Sequence, residues 1–170
     1  MDAAELRATQ APIKDLYRND PNAAFITLKA SGSIESEGIA CKIETGKQIA
    51  AVAGLHPATG GSGLELCSGD MLLEALVACA GVTLKSVATA VEIPLASGQV
   101  SAEGDLDFRG TLGVDKEAPV GFAEIRLRFD VETDAPQDKL DLLLKLTERY
   151  CVVYQTIKNG PKVSVVLNRV

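Results

Sequence analysis

An uncharged stretch from Ala75 to Leu84 constrains the fold of this chain more than any other feature of its sequence. It lies within a predicted helix from about Gly69 to Val91, which follows Ser68 as a candidate N-cap and stops before Pro94, a residue that cannot continue a helix. A surface helix carries polar residues along its outer side, and this stretch has a single hydroxyl. We therefore predict a buried helix at the centre of the fold.

Covering such a helix on every side needs more elements than one small domain provides. The chain has 170 residues, enough for one domain that buries about 70% of its unfolded surface. Small residues on the helix, including Ala78 and Gly81, let another backbone come close. We predict a single domain over residues 1–170 that pairs with a second copy as a homodimer. Residues 1–35 are interpreted as an N-terminal arm without an assigned motif, in which Pro12 interrupts a helical pattern over residues 3–18.

Strand patterns lie on both sides of the central helix. Apolar and polar residues alternate from Val100 to Arg109 and from Ala123 to Thr133, which predicts two strands with one solvated face. Earlier segments of strand length, separated by turns containing glycine, predict an antiparallel group. These segments are residues 26–30, 39–44 and 47–53. The sequence KVSVVLNRV, residues 162–170, is predicted to form the last strand.

A second helical region extends from Ala135 to about Ile157. It is predicted to break near Cys151, because the sequence CVVYQTI is apolar in a new phase. Its helical spacing predicts a buried side and an exposed side. The buried side comprises Leu140, Leu143, Leu144 and Thr147, and the exposed side comprises Lys139, Asp141, Lys145 and Glu148.

The composition excludes several classes of protein. The net charge is −6 without a run of like charges, which argues against nucleic acid as a partner. Hydrophobic residues make up 46% and charged residues 24% of the chain, as in globular proteins. The N-terminus lacks a secretory signal, and no uninterrupted apolar run is long enough to span a bilayer. We therefore expect a cytoplasmic protein without a membrane partner.

The remaining candidates for chemical function are four cysteines, Cys41, Cys67, Cys79 and Cys151. Cytoplasmic thiols are kept reduced, so these residues are interpreted as reactive or buried thiols and not as permanent disulfides. The sequence contains no Cys-x-x-Cys motif, and His56 is its only histidine, so we predict neither a metal site nor a cofactor. His56 precedes Pro57 in a glycine-rich loop and is either a turn residue or a proton shuttle.

Two readings of Cys79 and Cys151 remain open from the residues alone. Cys79 lies in the middle of the predicted buried helix, where cysteine serves as a small core residue. Cys151 lies at the predicted helix break and follows Arg149, whose guanidinium favours a thiolate. Two cysteines placed in this way are either separate core residues or a reversible redox pair.

The sequence GGSGLELCSGDMLLEALVACAGVTLKSVA, followed by CVVYQTIKNGPKV, strongly resembles the OsmC/Ohr family of osmotically inducible and organic hydroperoxide resistance proteins. The resemblance rests on the loop at Gly60 and Gly61, the helix with Cys79, the segments DLDFRG and PVGFAEI, and Cys151 with Thr156 beyond it. It covers about residues 40–168.

This resemblance implies an α+β fold with antiparallel sheets around a long buried central helix, in an intertwined homodimer whose sites lie at the interface. It also implies a thiol peroxidase. Cys79 would attack a small-molecule hydroperoxide as the peroxidatic thiolate, and Cys151 would resolve the sulfenic acid as a disulfide. An external dithiol of lipoyl type would then reduce that disulfide.

The chain departs from the family pattern around the thiolate. Family peroxidases carry a carboxylate ten residues before the peroxidatic cysteine, where this chain has Gly69, so the neighbouring Asp70 is the candidate for hydrogen-bonding an arginine that polarises the peroxide. The early strands, where the family carries that arginine, offer Lys42 and Lys47, which give a point charge and not a planar fork. The substitutes for the family's arginine are Arg109 and Arg149. After Cys151, where the family often has proline, this chain has Val152. Cys41 and Cys67 are assigned no role.

Two functions follow from these observations. The first is an oxidoreductase that reduces organic hydroperoxides, with hydrogen peroxide as a second candidate substrate, in defence against oxidative stress. The alternative is a catalytically divergent protein of the same fold that binds a small apolar ligand at the dimer interface. Gly69 and the missing arginine favour the alternative.

Overall fold

The structure is a computed structural model of the chain that describes residues 2–25, 27, 31–34, 40–44 and 50–169. It has a mixed α and β fold, as predicted. The helices are α1 (Ala3–Asn19), α2 (Ser68–Ala90), the single turn α3 (Phe108–Thr111), α4 (Gln137–Tyr150) and α5 (Val152–Asn159), with 3-10 turns at Pro21–Ala24 and Pro57–Thr59. The strands are β1 (Ser31–Ile34), β2 (Ala40–Glu44), β3 (Ala50–Gly54), β4 (Leu66–Cys67), β5 (Ser97–Leu106) and β6 (Phe122–Glu132).

Two separate sheets precede and follow α2. The first has the order β1-β2-β3-β4, in which β1, β2 and β3 pair antiparallel and β4 lies parallel to β3. The predicted antiparallel group is therefore confirmed for β2 and β3, while the strand predicted at residues 26–30 lies almost entirely outside the described residues. The second sheet is the antiparallel pair β5 and β6.

The alternation predicted for β5 and β6 is confirmed. Val100 lies opposite Phe129 and Ala102 opposite Leu127, and these residues form the covered face of the pair, which contacts α2. The predicted end of the first strand is wrong, because Phe108 belongs to α3. The Asp107 carboxylate accepts a hydrogen bond from the backbone amide of Arg109 at 3.0 Å, which caps this turn and ends the strand.

Helix α2 begins one residue earlier than predicted. Ser68 is its first helical residue, and the N-cap is Cys67, whose side chain makes no capping hydrogen bond. The prediction of Ser68 as N-cap is therefore wrong. Cys67 pairs with Gly54 in the β3–β4 ladder, and this pairing keeps the residue extended up to the point where the helix starts.

The described residues of one chain cover α2 on one side only. Residues on the covered side are spaced four apart and are buried: Leu76, Ala80, Leu84 and Ala88. Together with Ile93 and Leu143, the last two form an aliphatic core against which Phe129 and Val131 of β6 pack. The opposite side, which we call the open side, consists of Ala75, Ala78 and Val82 and is exposed to solvent. The expected burial on every side is therefore not achieved within a single chain.

The break predicted in the second helical region is confirmed, because Cys151 separates α4 from α5. Leu143 and Thr147 are buried as predicted, and Leu140 is half-buried. The prediction is wrong for Leu144, which is 45% exposed beside an open cavity, and for Glu148, which is half-buried along the same cavity.

The two ends of the chain differ from the predictions. Helix α1 continues through Pro12 without interruption and contacts α2. Its Arg7 forms an ion pair at 3.4 Å with Glu92, which lies just beyond the end of α2. Residues 162–169 form no strand, and Val165 and Leu167 are 89% and 97% exposed. An extended segment becomes a strand only when a neighbouring strand accepts its hydrogen bonds, and the described part of one chain supplies none for this segment.

By length and composition alone, one described helix, α2, is long and apolar enough to cross a bilayer. The sequence contains no uninterrupted apolar run of that length, since Asp70, Glu74 and Lys85 lie within the helix. Its contacts with β5, α4 and α5 are those of a helix at the centre of a fold.

Candidate active site at Cys79 and Cys151

The geometry of α2 places Cys79 at the border between its covered and open sides. Cys79 follows the buried Leu76 by three residues and precedes the buried Ala80 by one, while Ala78 and Val82 are exposed. Since a helix turns by about 100° per residue, the Cys79 side chain points between these two directions. The residue is accordingly half-buried.

Cys151 is held by both helices that it separates. Its backbone amide donates to the carbonyl of Thr147 at 2.9 Å, and its own carbonyl accepts from the amide of Gln155 at 2.9 Å. It therefore closes the last turn of α4 and opens the first turn of α5. Only 1% of its surface is exposed, so its thiol occupies a fixed place in the interior.

The structure brings the two predicted cysteines together. The Cys151 thiol and the backbone amides of Val152 and Val153 lie beside the sulfur of Cys79 and lower the pKa of that thiol by hydrogen bonding. These amides belong to the first turn of α5, where backbone N–H groups have no acceptor within their own helix. The fourth donor is the hydroxyl of Thr83, one turn after Cys79 on α2.

This environment gives the two sulfurs opposite tendencies. Burial raises the pKa of Cys79, but the hydrogen bonds from Val153, Cys151, Val152 and Thr83 lower it by more, so that the pKa of this thiol lies below its ordinary value of 9.0. Burial and the charge of Cys79 raise the pKa of Cys151 above that value, although the Tyr154 amide opposes the shift. A thiolate at Cys79 in contact with a thiol at Cys151 can attack an electrophile and then close a disulfide.

An apolar cavity of about 510 Å³ opens beside this pair. It lies between β6 and the helices, next to Leu76 of α2 and Tyr154 of α5. Most of its remaining lining is aliphatic or aromatic, with charged groups at Glu124, Glu148 and Lys158. The cavity is adjacent to both cysteines in sequence and fold, because Leu76 lies one turn before Cys79 and Tyr154 one turn after Cys151.

Asp70 lies away from the two sulfurs. It occupies the first turn of α2, and nine residues of helix correspond to about 13.5 Å along the axis between it and Cys79. Asp70 lines a pocket of about 350 Å³ together with Gly69, His56 and Cys67. Within one chain the structure therefore does not bring Asp70 to the thiolate, and its role stays a prediction.

His56 has the structural role of a turn residue. Its Nδ1 accepts a hydrogen bond from the backbone amide of Ala58 at 3.0 Å, and its ring stacks on Phe108 with centroids 4.9 Å apart. Cys67 is half-buried in the same pocket. Among the described residues, no group of three or more histidine, cysteine, aspartate or glutamate side chains is arranged to hold a metal ion.

Neither Arg109 nor Arg149 contacts Cys79, because both engage other side chains. Arg109 forms ion pairs with Asp107 at 2.5 Å and Asp115 at 3.3 Å. Arg149 lies over the ring of Tyr150 at 5.5 Å and lines an open groove of about 480 Å³ that also includes Cys151. The side chain of Lys42, and Lys47 altogether, lie outside the described residues, as does the side chain of Cys41.

Sequence reasoning missed the donors that surround Cys79. The amides of Val152 and Val153 are backbone groups, so no residue type marks them, and only the docking of α5 against α2 brings them to the sulfur. The position of Thr83 could have been predicted, because a spacing of four residues places it one turn from Cys79 on the same side of a helix.

The family model described as OsmC-like protein matches residues 61–166. No curated protein matches the sequence. An OsmC-like protein from Mycoplasma pneumoniae has a similar structure, with a TM-score of 0.64 and 15% identity over 79% of this chain and 89% of that one. So does the organic hydroperoxide resistance protein OsmC from Legionella pneumophila, with a TM-score of 0.61 and 16% identity over 81% and 93% of the two chains. At these identities the likeness shows the fold.

Proposed function

Because this chain belongs to the OsmC-like protein family, we propose that it is a thiol-dependent peroxidase that reduces organic hydroperoxides through Cys79 and Cys151. The observation that carries this proposal is the contact between the two sulfurs, in which hydrogen bonds lower the pKa of Cys79 and burial raises the pKa of Cys151. Organic hydroperoxide resistance is also what the similar Legionella protein is named for.

Cys79 performs the first step as a thiolate. Its sulfur attacks the distal oxygen of the hydroperoxide, the O–O bond breaks, and its electron pair leaves with the alkoxide, which takes up a proton to become the alcohol. Cys79 is thereby oxidised to a sulfenic acid. The amides of Val152 and Val153 keep the sulfur ionised before this attack.

Cys151 performs the second step. Its sulfur attacks the Cys79 sulfur, a disulfide forms, and the hydroxyl of the sulfenic acid leaves with the proton of Cys151 as water. An external dithiol, of lipoyl type by family resemblance, then transfers two electrons to the disulfide and is itself oxidised to a disulfide. The protein needs no bound cofactor for this cycle.

A second copy of the chain completes the site in this proposal. Ala75, Ala78 and Val82 form an uncharged open side next to Cys79, and burying such a surface stabilises association. The exposed apolar residues of segment 162–169 provide a further surface for pairing. We propose a homodimer in the cytoplasm whose second copy walls the side of Cys79 that one chain leaves uncovered.

Asp70 and a cation are assigned a supporting role. In the dimer, Asp70 would hydrogen-bond a cationic side chain that polarises the peroxide, in place of the carboxylate that the family carries where this chain has Gly69. Position 69 has room for a side chain, because a Cβ added to Gly69 would lie at an ordinary contact distance of 3.6 Å from Cys67 Sγ and from Phe122. We expect activity below that of family members with the usual carboxylate and arginine.

The proposal is tested by oxidation of the purified protein with cumene hydroperoxide. Mass spectrometry should find a disulfide between Cys79 and Cys151, and Cys79→Ser should remove peroxidase turnover with dihydrolipoamide as reductant. Cys67→Ser is the matched control, because this cysteine lies at the start of α2 in a different pocket, and it should retain turnover. Full turnover in Cys79→Ser would end the assignment.

The cavity predicts the preferred substrate class. Its apolar lining favours bulky organic hydroperoxides over hydrogen peroxide, since each buried methylene contributes about 0.8 kcal/mol. The KM for cumene or fatty-acid hydroperoxide should therefore be lower than that for hydrogen peroxide. Equal values of kcat/KM for both peroxides would contradict a role of this cavity in binding.

The same cavity supports a second candidate, a protein that binds a small apolar ligand without catalysis. Its volume of about 510 Å³ lies within the range of small-molecule sites, and neither cysteine lines it. If no peroxide is reduced with dihydrolipoamide or a small thiol, while an apolar ligand raises the melting temperature, this binding function replaces the enzyme.

A further inference from the structure

Two openings in the surface lie on opposite sides of α5. The apolar cavity of about 510 Å³ is lined from this helix by Tyr154, Ile157 and Lys158. The groove of about 480 Å³, which we call the Cys151 groove, includes Arg149 and Cys151 and is lined from α5 by Val152, Gln155, Thr156 and Asn159. Since a helix turns by about 100° per residue, the two sets of α5 side chains point in opposite directions. The cavity and the groove are therefore separate sites.

The two openings reach different members of the cysteine pair. The groove includes Cys151, whereas the cavity lies next to Leu76, one turn before Cys79. In thiol–disulfide exchange, the sulfur with the lower pKa is the better leaving group. The pKa of Cys79 is lowered and the pKa of Cys151 is raised, so a reductant should attack the Cys151 sulfur and release Cys79. The sulfur to be attacked thus belongs to the residue in the groove.

The charge of the groove differs from the charge of the cavity. Arg149 is the only charged residue among the described residues that line the groove, whereas the adjacent Glu148 lines the cavity together with Glu124 and Lys158. None of the ion pairs of the described residues includes Arg149, whose guanidinium lies over the ring of Tyr150 at 5.5 Å. A guanidinium without a carboxylate partner attracts the carboxylate of a ligand. The groove therefore favours an anionic molecule over a neutral one.

The remaining lining combines fixed polar groups with apolar surface. The Gln155 side chain is held at both ends, because its Nε2 donates to the Glu148 carbonyl at 2.7 Å and its Oε1 accepts from Asn159 Nδ2 at 2.7 Å. Tyr150 and Val152 are exposed beside it. Such a lining suits a small molecule with a short hydrocarbon chain and a polar end.

We propose that the Cys151 groove is the docking site of the reductant and takes a small dithiol that carries a carboxylate, with the carboxylate beside Arg149 and a thiol beside Cys151. This inference rests on the peroxidase cycle proposed above. It assigns the two substrates of that cycle to two sites, because the hydroperoxide uses the apolar cavity and the reductant uses the groove on the other side of α5.

The reaction in the groove is a thiol–disulfide exchange. One thiolate of the reductant attacks the Cys151 sulfur, the bond between the two protein sulfurs breaks, and Cys79 leaves with the electron pair as a thiolate. The second thiolate of the reductant then attacks the reductant sulfur in the mixed disulfide, and Cys151 leaves. The dithiol is oxidised to a cyclic disulfide and the protein is reduced by two electrons. One proton of the dithiol goes to Cys151 and the other to solvent.

The experiment compares dihydrolipoate with dihydrolipoamide, two dithiols with the same reacting groups and a different charge. Diamide first oxidises the protein without any peroxide, and peptide-resolved mass spectrometry then follows the return of free Cys79 and Cys151. Arg149→Gln removes the charge and keeps a polar side chain. The ratio of the rate constants for dihydrolipoate and dihydrolipoamide should fall about threefold in this variant, as expected for an exposed ion pair. High salt should lower the ratio of the unmodified protein in the same way.

Lys145→Gln is the matched control, because it removes a positive charge from an exposed position of α4 outside the groove, and its ratio should equal that of the unmodified protein. An unchanged ratio in Arg149→Gln would overturn the inference. A larger fall in Lys158→Gln than in Arg149→Gln would also overturn it, because the reductant would then enter through the cavity.

Two outcomes separate this inference from the proposed function. If diamide forms no disulfide between Cys79 and Cys151, the inference and the cycle on which it rests are both wrong. If the diamide-formed disulfide is reduced with the predicted ratios while cumene hydroperoxide is not turned over, the groove is confirmed and only the peroxidase function fails.

Discussion

One side of α2 packs against β5, α4 and α5, whereas the open side of the same helix contacts solvent in a single chain. Both sides are apolar, so their sequences do not distinguish them. The covered side holds the aliphatic core around Leu84, and Cys79 lies on the border between the two. A site on such a border receives part of its wall from its own chain and the remainder from whatever covers the open side. Changes on each side should therefore have different consequences.

The largest effect is expected from a charge on the open side. Val82 is 72% exposed in one chain, so Val82→Glu should leave the folded chain intact. In a dimer that covers this side, two-fold symmetry buries an unpaired carboxylate from each copy, at a cost of several kcal/mol. Sedimentation at low micromolar concentration should show a folded monomer.

Lys139→Glu is the control for this change, because it introduces the same side chain at an exposed position of α4. It should sediment like the unmodified protein. If Val82→Glu remains a dimer of unchanged affinity, the open side is not the interface.

On the covered side, Leu84→Ala should lower the free energy of unfolding by about 3 kcal/mol. Leu84 is 7% exposed and packs with Ala88, Ile93 and Leu143, so truncation leaves a cavity. Denaturation with urea, followed by circular dichroism, measures the change. A loss below about 1 kcal/mol would mean that this side is not the main core.

Two glycines test how closely the covered side is packed. An added Cβ at Gly104 of β5 would lie 2.5 Å from the Phe122 ring, so Gly104→Ala should destabilise the fold by about 1–3 kcal/mol. Gly81 of α2 has its nearest neighbour, Val100, at 3.5 Å, and Gly81→Ala should stabilise the helix by about 0.5–1 kcal/mol. Urea denaturation of both variants should give opposite signs, and equal signs would contradict the packing described here.

The pKa values of Cys79 and Cys151 are shifted in opposite directions. The pKa of Cys79 is lowered, so its alkylation should reach half its maximum below pH 9.0. The pKa of Cys151 is raised, so its alkylation should do so above pH 9.0. Peptide-resolved mass spectrometry after timed alkylation checks the order, and the reverse order would contradict the roles of nucleophile and resolving thiol.

The smallest effect on the free energy of unfolding is expected at Glu92, just beyond the C-terminal end of α2. Glu92 has a φ of 59°, in the left-handed region that favours glycine, while the amide of Ile93 donates to the carbonyl of Ala88 at 2.8 Å. Glu92→Gly should stabilise the fold by about 0.5–1 kcal/mol, because relief of backbone strain exceeds the value of an exposed ion pair. Arg7→Ala removes that ion pair alone and is the control in the same urea denaturation. Destabilisation by Glu92→Gly beyond that of Arg7→Ala would contradict the strain argument.

Much of the fold could be predicted from the sequence, because the patterns that indicate it are local. The alternation in β5 and β6 and the uncharged centre of α2 depend on which residues face water, and this is written in their spacing. The start of α2 was predicted wrongly because a distant element sets it, through the pairing of β4 with β3. The end of β5 was predicted wrongly because a local cap, the Asp107 carboxylate on the Arg109 amide, outweighs the alternating pattern. Segment 162–169 has a strand pattern, but the described part of its own chain supplies no neighbouring strand.

The sequence by itself determined that the centre of α2 is uncharged on every side, that the second helical region breaks at Cys151, and that one cysteine lies at each of these two positions. Only the tertiary structure decided that the cysteines touch, because they are 72 residues apart and their contact depends on how α5 docks against α2. It also decided which sulfur has the lower pKa. That choice depends on backbone amides and a hydroxyl whose positions follow from packing, and hydrogen bonds of this kind act over a few ångströms and not along the chain.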